Sequence, residues 1–291
     1  MKKISIVINK NWETEPALSA MASATIRPKG MPFPNLLNSP KDGNNSMTVP
    51  RACYQLAGAT PLQVNVWCLQ DLMDPAQSSS SSAEKYRVLP PVLANDAPDL
   101  VIAVGTAAFP DPMYSYNGKV FIGSQFFMHN GNDHNPKSNF TAGPFDTLIP
   151  SNADPALFAL LTPAWCAAST LNFLPVPNLP QTPSLQASHD YVSIGDVNIT
   201  DYTQYPVTDP ASVNAFNSLQ MPFTAPSLET THGIIRISTG APTIFVSAIV
   251  NRMGKLGMEG TVTQNYAGAF NAGVTLANLL LLLNQTTTPD F

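Results

Sequence analysis

Six apolar runs constrain this chain most: ISIVI (4–8), LQVNVWCL (62–69), DLVIAVG (99–105), KVFIGSQFF (119–127), YVSIGDVNI (191–199) and TIFVSAIV (243–250). A strand with one wetted face alternates apolar and polar residues, whereas these runs are continuous or nearly so. They are predicted to be strands covered on both faces, as in a parallel sheet with helices packed above and below. Helical character falls between some of them, over 13–24, 156–171, 213–219 and 229–238. The longest helix is expected near 264–283, where Ala, Asn and Leu dominate and Thr261 or Thr263 can cap the start. This alternation predicts an α/β fold: a single domain, 1–291, with a central mixed, mostly parallel β-sheet flanked by helices.

Segments near 27–49, 74–83 and 174–188 read as inserted loops, rich in Pro or carrying the serine run Ser78 to Ser82. Only 11% of residues are charged, against about 25% in average proteins, so the surface rests on Asn, Gln, Ser, Thr and Pro. A net charge of -5 without a basic run gives no field for a polyphosphate backbone, which excludes nucleic acid as an expected partner. Cys53, Cys68 and Cys166 are widely spaced and suit a reducing compartment. The apolar stretch after Lys3 ends at Lys10, too soon for a signal peptide. The run 274–283 is shorter than the roughly 20 residues that span a bilayer. A soluble, cytoplasmic protein with no membrane partner is expected, and the Asn139 and Asn198 glycosylation patterns lack an export signal.

No glycine-rich dinucleotide turn, phosphate loop or Gly-x-Ser-x-Gly elbow is present, which removes support for dehydrogenase, nucleoside triphosphatase and esterase readings. His129 and His134 lie five apart with Asp133 between them, but no third ligand accompanies them, so they read as loop histidines and no metal is expected. His232 reads as packed or exposed. In open α/β sheets ligands bind beyond the carboxyl ends of strands, which singles out 9–15, 105–109, 195–199 and Asn251-Arg252.

At those places the chain resembles the nucleoside phosphorylase and nucleosidase superfamily, most closely the methylthioadenosine/adenosylhomocysteine nucleosidases. KKISIVINKNWETEPAL resembles that family's first strand and acidic helix start, and PDLVIAVGTAAF its strand and Gly-Ser/Thr-Ala turn beneath the ribose. NGKVFIGSQFFMHNGND and YVSIGDVNI follow in order, and SLETTHGIIRISTGAPTIFVSAIVNR is similar to its Met-Glu helix, Gly-x-Pro turn and final catalytic strand. The resemblance implies a phosphorylase/hydrolase-like three-layer α/β/α fold and cleavage of the N-ribosidic bond of a purine nucleoside. It further implies a homo-oligomer, a nucleoside as small-molecule partner, and no cofactor beyond inorganic phosphate if the nucleophile is phosphate.

Carried over position by position, the resemblance gives Glu15 the nucleophilic water, a task for a carboxylate that accepts a proton. Glu229 would accept hydrogen bonds from ribose hydroxyls, with Leu228 beside it. Gly105, Thr106 and Ala107 would present backbone to the sugar or water, and Asn198 and Ile199 would contact the base. The family's aromatic is missing near Asn198, and Phe126, Phe127 or Phe158 could supply a stacking surface. Asn251 stands where the nucleosidases have the Asp that protonates the base; an amide can donate to N7 without full proton transfer. Phosphorylases set an arginine before the Gly-Thr turn, where this chain has Ala103; Arg27, Arg51 and Arg252 lie elsewhere. Water is therefore expected as nucleophile rather than phosphate. A phosphorylase and a catalytically inactive nucleoside-binding relative are the alternatives.

Overall fold

A computed structural model describes residues 1–22, 49–73, 82–109, 118–129, 140–177, 182–196, 224–252, 261–287 and 289–291. Its strands are β1 (Lys2–Ile8), β2 (Ala52–Leu56), β3 (Leu62–Cys68), β4 (Leu100–Phe109), β5 (Lys119–Gly123), β6 (Gln125–His129), β7 (Leu148–Ile149), β8 (Ser184–Ala187), β9 (Val192–Asp196), β10 (Ser227–Glu229) and β11 (Thr243–Arg252). The helices are α1 (Asn11–Met21), α2 (Leu69–Leu72), α3 (Ser82–Asp96), α4 (Ala156–Leu160), α5 (Pro163–Ser169), α6 (His232–Ile237) and α7 (Val262–Gln285).

The strands form one mixed, mostly parallel sheet flanked by helices. Period-two alternation divides its strands between two apolar layers. Ile4, Ile6, Ile102, Val246 and Ala248 join the layer that includes Ala17 of α1 and Leu276, Leu279 and Leu280 of α7. Val7, Val101, Ala103 and Phe245 join the opposite layer with Val88 and Leu89 of α3 and Ile234 and Ile235 of α6. Burial on both faces is why the runs read as continuous.

β4 is the branch point. Along one edge its first half pairs in parallel with β1, ending at Ile8 opposite Val104, and its far end pairs with β10 at Ala108 opposite Leu228. Between those contacts neither β1 nor β10 pairs with Gly105, Thr106 or Ala107, while β11 pairs with all three along the other edge. The split in the sheet therefore falls at the Gly-Thr-Ala turn, beyond the carboxyl end of β1.

Several expected elements differ. The stretch 119–127 is two strands: β5 pairs with β11 and β8, and β6 with β9 and β7. They part at buried Ser124, whose hydroxyl turns to the backbone and ring of His189. The region 229–238 begins as strand, because fully buried Leu228 pairs with both β9 and β4, and the helix starts only after Thr231. The 156–171 helix breaks before Pro163, with Thr162 capping a fresh start. β8 lies within the expected loop 174–188. Helix α3 was not legible because Pro90 and Pro91 are helix breakers at roughly 3 kcal/mol each; burial of Val88, Leu89 and Leu93, at roughly 1.5–3 kcal/mol each, is of matching size. Helix α7 carries the expected cap at Thr261, with Gln264 reaching back. Its 24 residues are long and apolar enough to cross a membrane, contrary to the shorter run read from sequence, yet 72% of its apolar window is buried in this fold. The expected helix 213–219, Arg27, His134 and Asn139 lie outside the described residues.

Candidate active site

Glu13 anchors the site. As the third residue of α1 it turns back toward the helix start, and its Oε2 accepts from the Lys10 amide at 3.1 Å. Its Oε1 crosses to the sheet split and accepts from the Thr106 amide and hydroxyl, both at 2.8 Å. Burial raises the Glu13 pKa, while the Thr106 and Lys10 hydrogen bonds and the Lys10 charge pull it back. A carboxylate raised toward neutrality is suited to accepting a proton.

Glu15 corrects the expectation from sequence. Its side chain is 57% exposed and paired at 2.6 Å with Arg51, which also grips Asp71 and Asn11. Two positions along a helix turn a side chain by about 200°, so Glu13 and Glu15 cannot share a target. The carboxylate in the cleft is Glu13.

Glu229 ends β10, 7% exposed, with its carboxylate folded over the start of α6. It accepts from the backbone amides of Thr231 and of His232, the latter at 2.6 Å. Each oxygen keeps lone-pair capacity for a further donor. Burial pushes the Glu229 pKa up; the His232 and Thr231 amides and the Lys85 charge oppose the rise. Lys85, fully buried on α3, donates to the Thr230 carbonyl (3.2 Å) and the Thr231 hydroxyl (3.0 Å). Burial lowers its pKa, and Glu229 holds it up. No motif signals this lysine in the sequence.

Helix α6 approaches β9 through a pair of glycines: a Cβ on Gly195 would stand 3.0 Å from the Gly233 amide nitrogen and 3.7 Å from Glu229 Oε1. That contact sets Glu229 and His232 over the split. His232, read from sequence as packed or exposed, is 1% exposed and faces the cleft. Its ring stacks on Phe245 at 5.9 Å, and its Nδ1 shares a hydrogen bond with Ser193 Oγ at 3.0 Å. Burial pushes its pKa down to about 3, so the imidazole is neutral.

A cleft of about 170 Å³ opens here, lined by Glu13, Gly105, Thr106, Glu229, His232 and Asn251, among others. The expected Ala107 and Leu228 also line it. Asn251, 2% exposed, follows a register shift in β11 between Ile249 and Asn251, an irregularity that re-aims the strand's end. Asn9, Trp12 and Asn265 also line the cleft, none of them singled out from sequence as a role-bearing residue. Asn198 and Ile199 lie outside the described residues. Phe126, Phe127 and Phe158 do not line the cleft: Phe126 packs edge-on against Phe245, Phe158 against His189, and Phe127 is core. Among the described residues that line it, Trp12 is the one Phe, Tyr or Trp. A larger hollow, about 470 Å³ between α5 and β8, is lined by Cys166, Gln186 and Tyr191 with no carboxylate or imidazole. Among the described residues, no cluster of His, Cys, Asp and Glu could hold a metal.

No protein-family model and no curated protein sequence matches the chain. Solved structures do match over nearly its full length. An Asp-to-Asn mutant of the Helicobacter pylori methylthioadenosine/adenosylhomocysteine nucleosidase, with 5′-methylthioadenosine in its active site, superposes with a TM-score of 0.56 at 13% identity, covering 95% of this chain and 98% of that one. The Arabidopsis thaliana 5′-methylthioadenosine nucleosidase gives 0.55 at 13% identity, covering 99% and 98%. Futalosine hydrolase of Helicobacter pylori gives 0.55 at 11% identity, covering 96% and 98%. The chain therefore has the α/β fold of the nucleosidases and of futalosine hydrolase, with a buried carboxylate from each of two elements and the Asn251 amide gathered where its sheet divides.

Proposed function

We propose that the protein hydrolyses the N-ribosidic bond of a purine nucleoside. The observation that carries this reading is the convergence of Glu13, Glu229 and Asn251 on one cleft, from α1, β10 and β11. Glu13 takes the role first expected of Glu15: it accepts a proton from water as the water oxygen attacks the anomeric carbon. The carbon–nitrogen bond breaks, and its electron pair leaves with the base. Glu229 accepts hydrogen bonds from ribose hydroxyls, and Asn251 donates to the base as charge grows on it. Gly105, Thr106, Ala107 and Leu228 border the sugar.

Water is favoured over phosphate because Arg51, Arg87 and Arg236 are committed elsewhere. Arg51 binds Asp71 and Glu15, Arg87 binds Glu84, and Arg236 binds the Pro150 and Thr239 carbonyls. The neighbours of this fold include named nucleosidases and a hydrolase. A second reading, binding without turnover, draws on Asn251. The family resemblance puts an aspartate there, and one neighbour is an Asp-to-Asn mutant with a nucleoside in its active site.

The test incubates the protein with inosine, guanosine, adenosine and methylthioadenosine, with and without phosphate, and follows free base and ribose 1-phosphate. Base release independent of phosphate is expected. Release that requires phosphate would make the protein a phosphorylase, and binding without release would make it a nucleoside receptor.

A further inference from the structure

Resting on the hydrolase reading, we infer that His232 is a catalytic residue that shares the attacking water with Glu13. The side-chain direction of Gly105 opens between these two groups. The two nearest atoms that a Cβ there would meet outside its chain neighbours are Glu13 Oε1 at 3.3 Å and His232 Nε2 at 3.6 Å. A water lying over Gly105 therefore meets both atoms.

His232 Nε2 is the second observation. It is buried, has no hydrogen-bond partner, and belongs to a ring 1% exposed that lines the cleft. The Val104 backbone favours the protonated ring, but burial outweighs it. A buried polar atom left unpaired destabilises the fold, and beside a cleft that cost is recovered when a ligand or water completes it.

The ring is held for this task from behind. Nδ1 meets Ser193 Oγ at 3.0 Å, Ser193 meets Ser227 Oγ at 3.2 Å, and Ser227 meets Ser247 Oγ at 2.7 Å, all buried. In this role the ring proton sits on Nδ1 and donates into the hydroxyl chain, which leaves Nε2 as the acceptor. Water then gives one hydrogen to Glu13 and the other to His232, so its lone pairs face the sugar. On attack the new carbon–oxygen bond forms, the carbon–nitrogen pair departs with the base, and the proton moves to Glu13. His232 fixes the water's direction without taking the proton.

Two substitutions separate this role from a structural one. Asn can reproduce the Nδ1 contact with Ser193 but not Nε2; Gln reaches the Nε2 position but not Ser193. His232→Asn is expected to lower kcat on the order of tenfold or more with KM unchanged, and His232→Gln to recover part of the rate. The opposite order, or wild-type kcat in both, overturns the inference. A crystal structure that resolves ordered water is the independent arm: a water hydrogen-bonded to both Glu13 Oε1 and His232 Nε2 is expected, and its absence overturns the inference. Should wild-type protein release no base from any nucleoside, the hydrolase reading fails by itself. The water then decides whether the paired site exists, as it does if the variants do not fold.

Discussion

Asp96 and Glu229 are equally buried, each 7% exposed, yet they sit in opposite surroundings. Asp96, at the end of α3, accepts from the Ser5 hydroxyl, from Asn65 Nδ2 at 2.6 Å and from Trp67 Nε1 at 2.9 Å, and Lys3 Nζ stands 3.7 Å away. Its acceptors are taken by fixed donors from β1 and β3, and it lines neither hollow described above. Glu229 accepts two backbone amides and borders a cleft shared with Glu13, His232 and Asn251. Burial alone therefore does not mark a site. An acid becomes a candidate for chemistry where hydrogen bonding is left incomplete beside a space that a ligand can enter.

The contrast breaks most sharply with paired substitutions. Glu13→Gln is expected to reduce base release on the order of 10²–10⁴-fold, measured as kcat on the best nucleoside. Asp96→Asn should leave kcat unchanged but cost about 1–3 kcal/mol of stability in urea unfolding, because an amide cannot accept from all three donors. A fast Glu13→Gln enzyme would erase the distinction. Next in size, Glu229→Ala should weaken nucleoside binding by about 1.5–3 kcal/mol for each charged hydrogen bond lost, read by titration calorimetry, and also remove a cap from α6.

The pH dependence of stability sharpens the same comparison. The folded pKa of His232 is depressed, so between pH 6.5 and about 3 the unfolded chain holds the extra proton. Stability from this group is present above pH 6.5 and is lost as pH falls, at about 1.4 kcal/mol per pH unit. Wild type and His232→Asn should converge in denaturant midpoint as pH is lowered; parallel curves would refute a buried neutral imidazole. Asn251→Asp should move substrate preference toward 6-aminopurines on the order of tenfold, the worth of one hydrogen bond; an unchanged profile would leave Asn251 a strand-end residue. The smallest effect is expected from Lys85→Met. The Lys85 charge helps keep Glu229 ionised, so its loss raises the Glu229 pKa further and shifts the pH of half-maximal nucleoside binding upward. A shift downward, or none, would detach Lys85 from the site.

Much of this arrangement is written locally. Continuous apolarity places β1, β3, β4 and β11, and Thr261 with Gln264 marks the start of α7, because side-chain alternation and capping depend on neighbours in sequence. The Gly105-Thr106 turn, Glu229 and Asn251 are also visible, as polar residues where apolar runs stop. Tertiary structure alone decided that Glu13 rather than Glu15 enters the cleft, since the choice depends on which side of α1 meets the Thr106 amide. It also decided that Leu228 and Glu229 are strand, that 119–127 divides, and that Lys85 and His232 lie beside the carboxylates. Those outcomes follow from how β4 divides its edge between β1 and β10, pairing Ile8 with Val104 and Ala108 with Leu228, segments far apart in the chain. Local periodicity carries no record of such pairing, so the sequence determines the elements while long-range contacts determine which polar side chains meet.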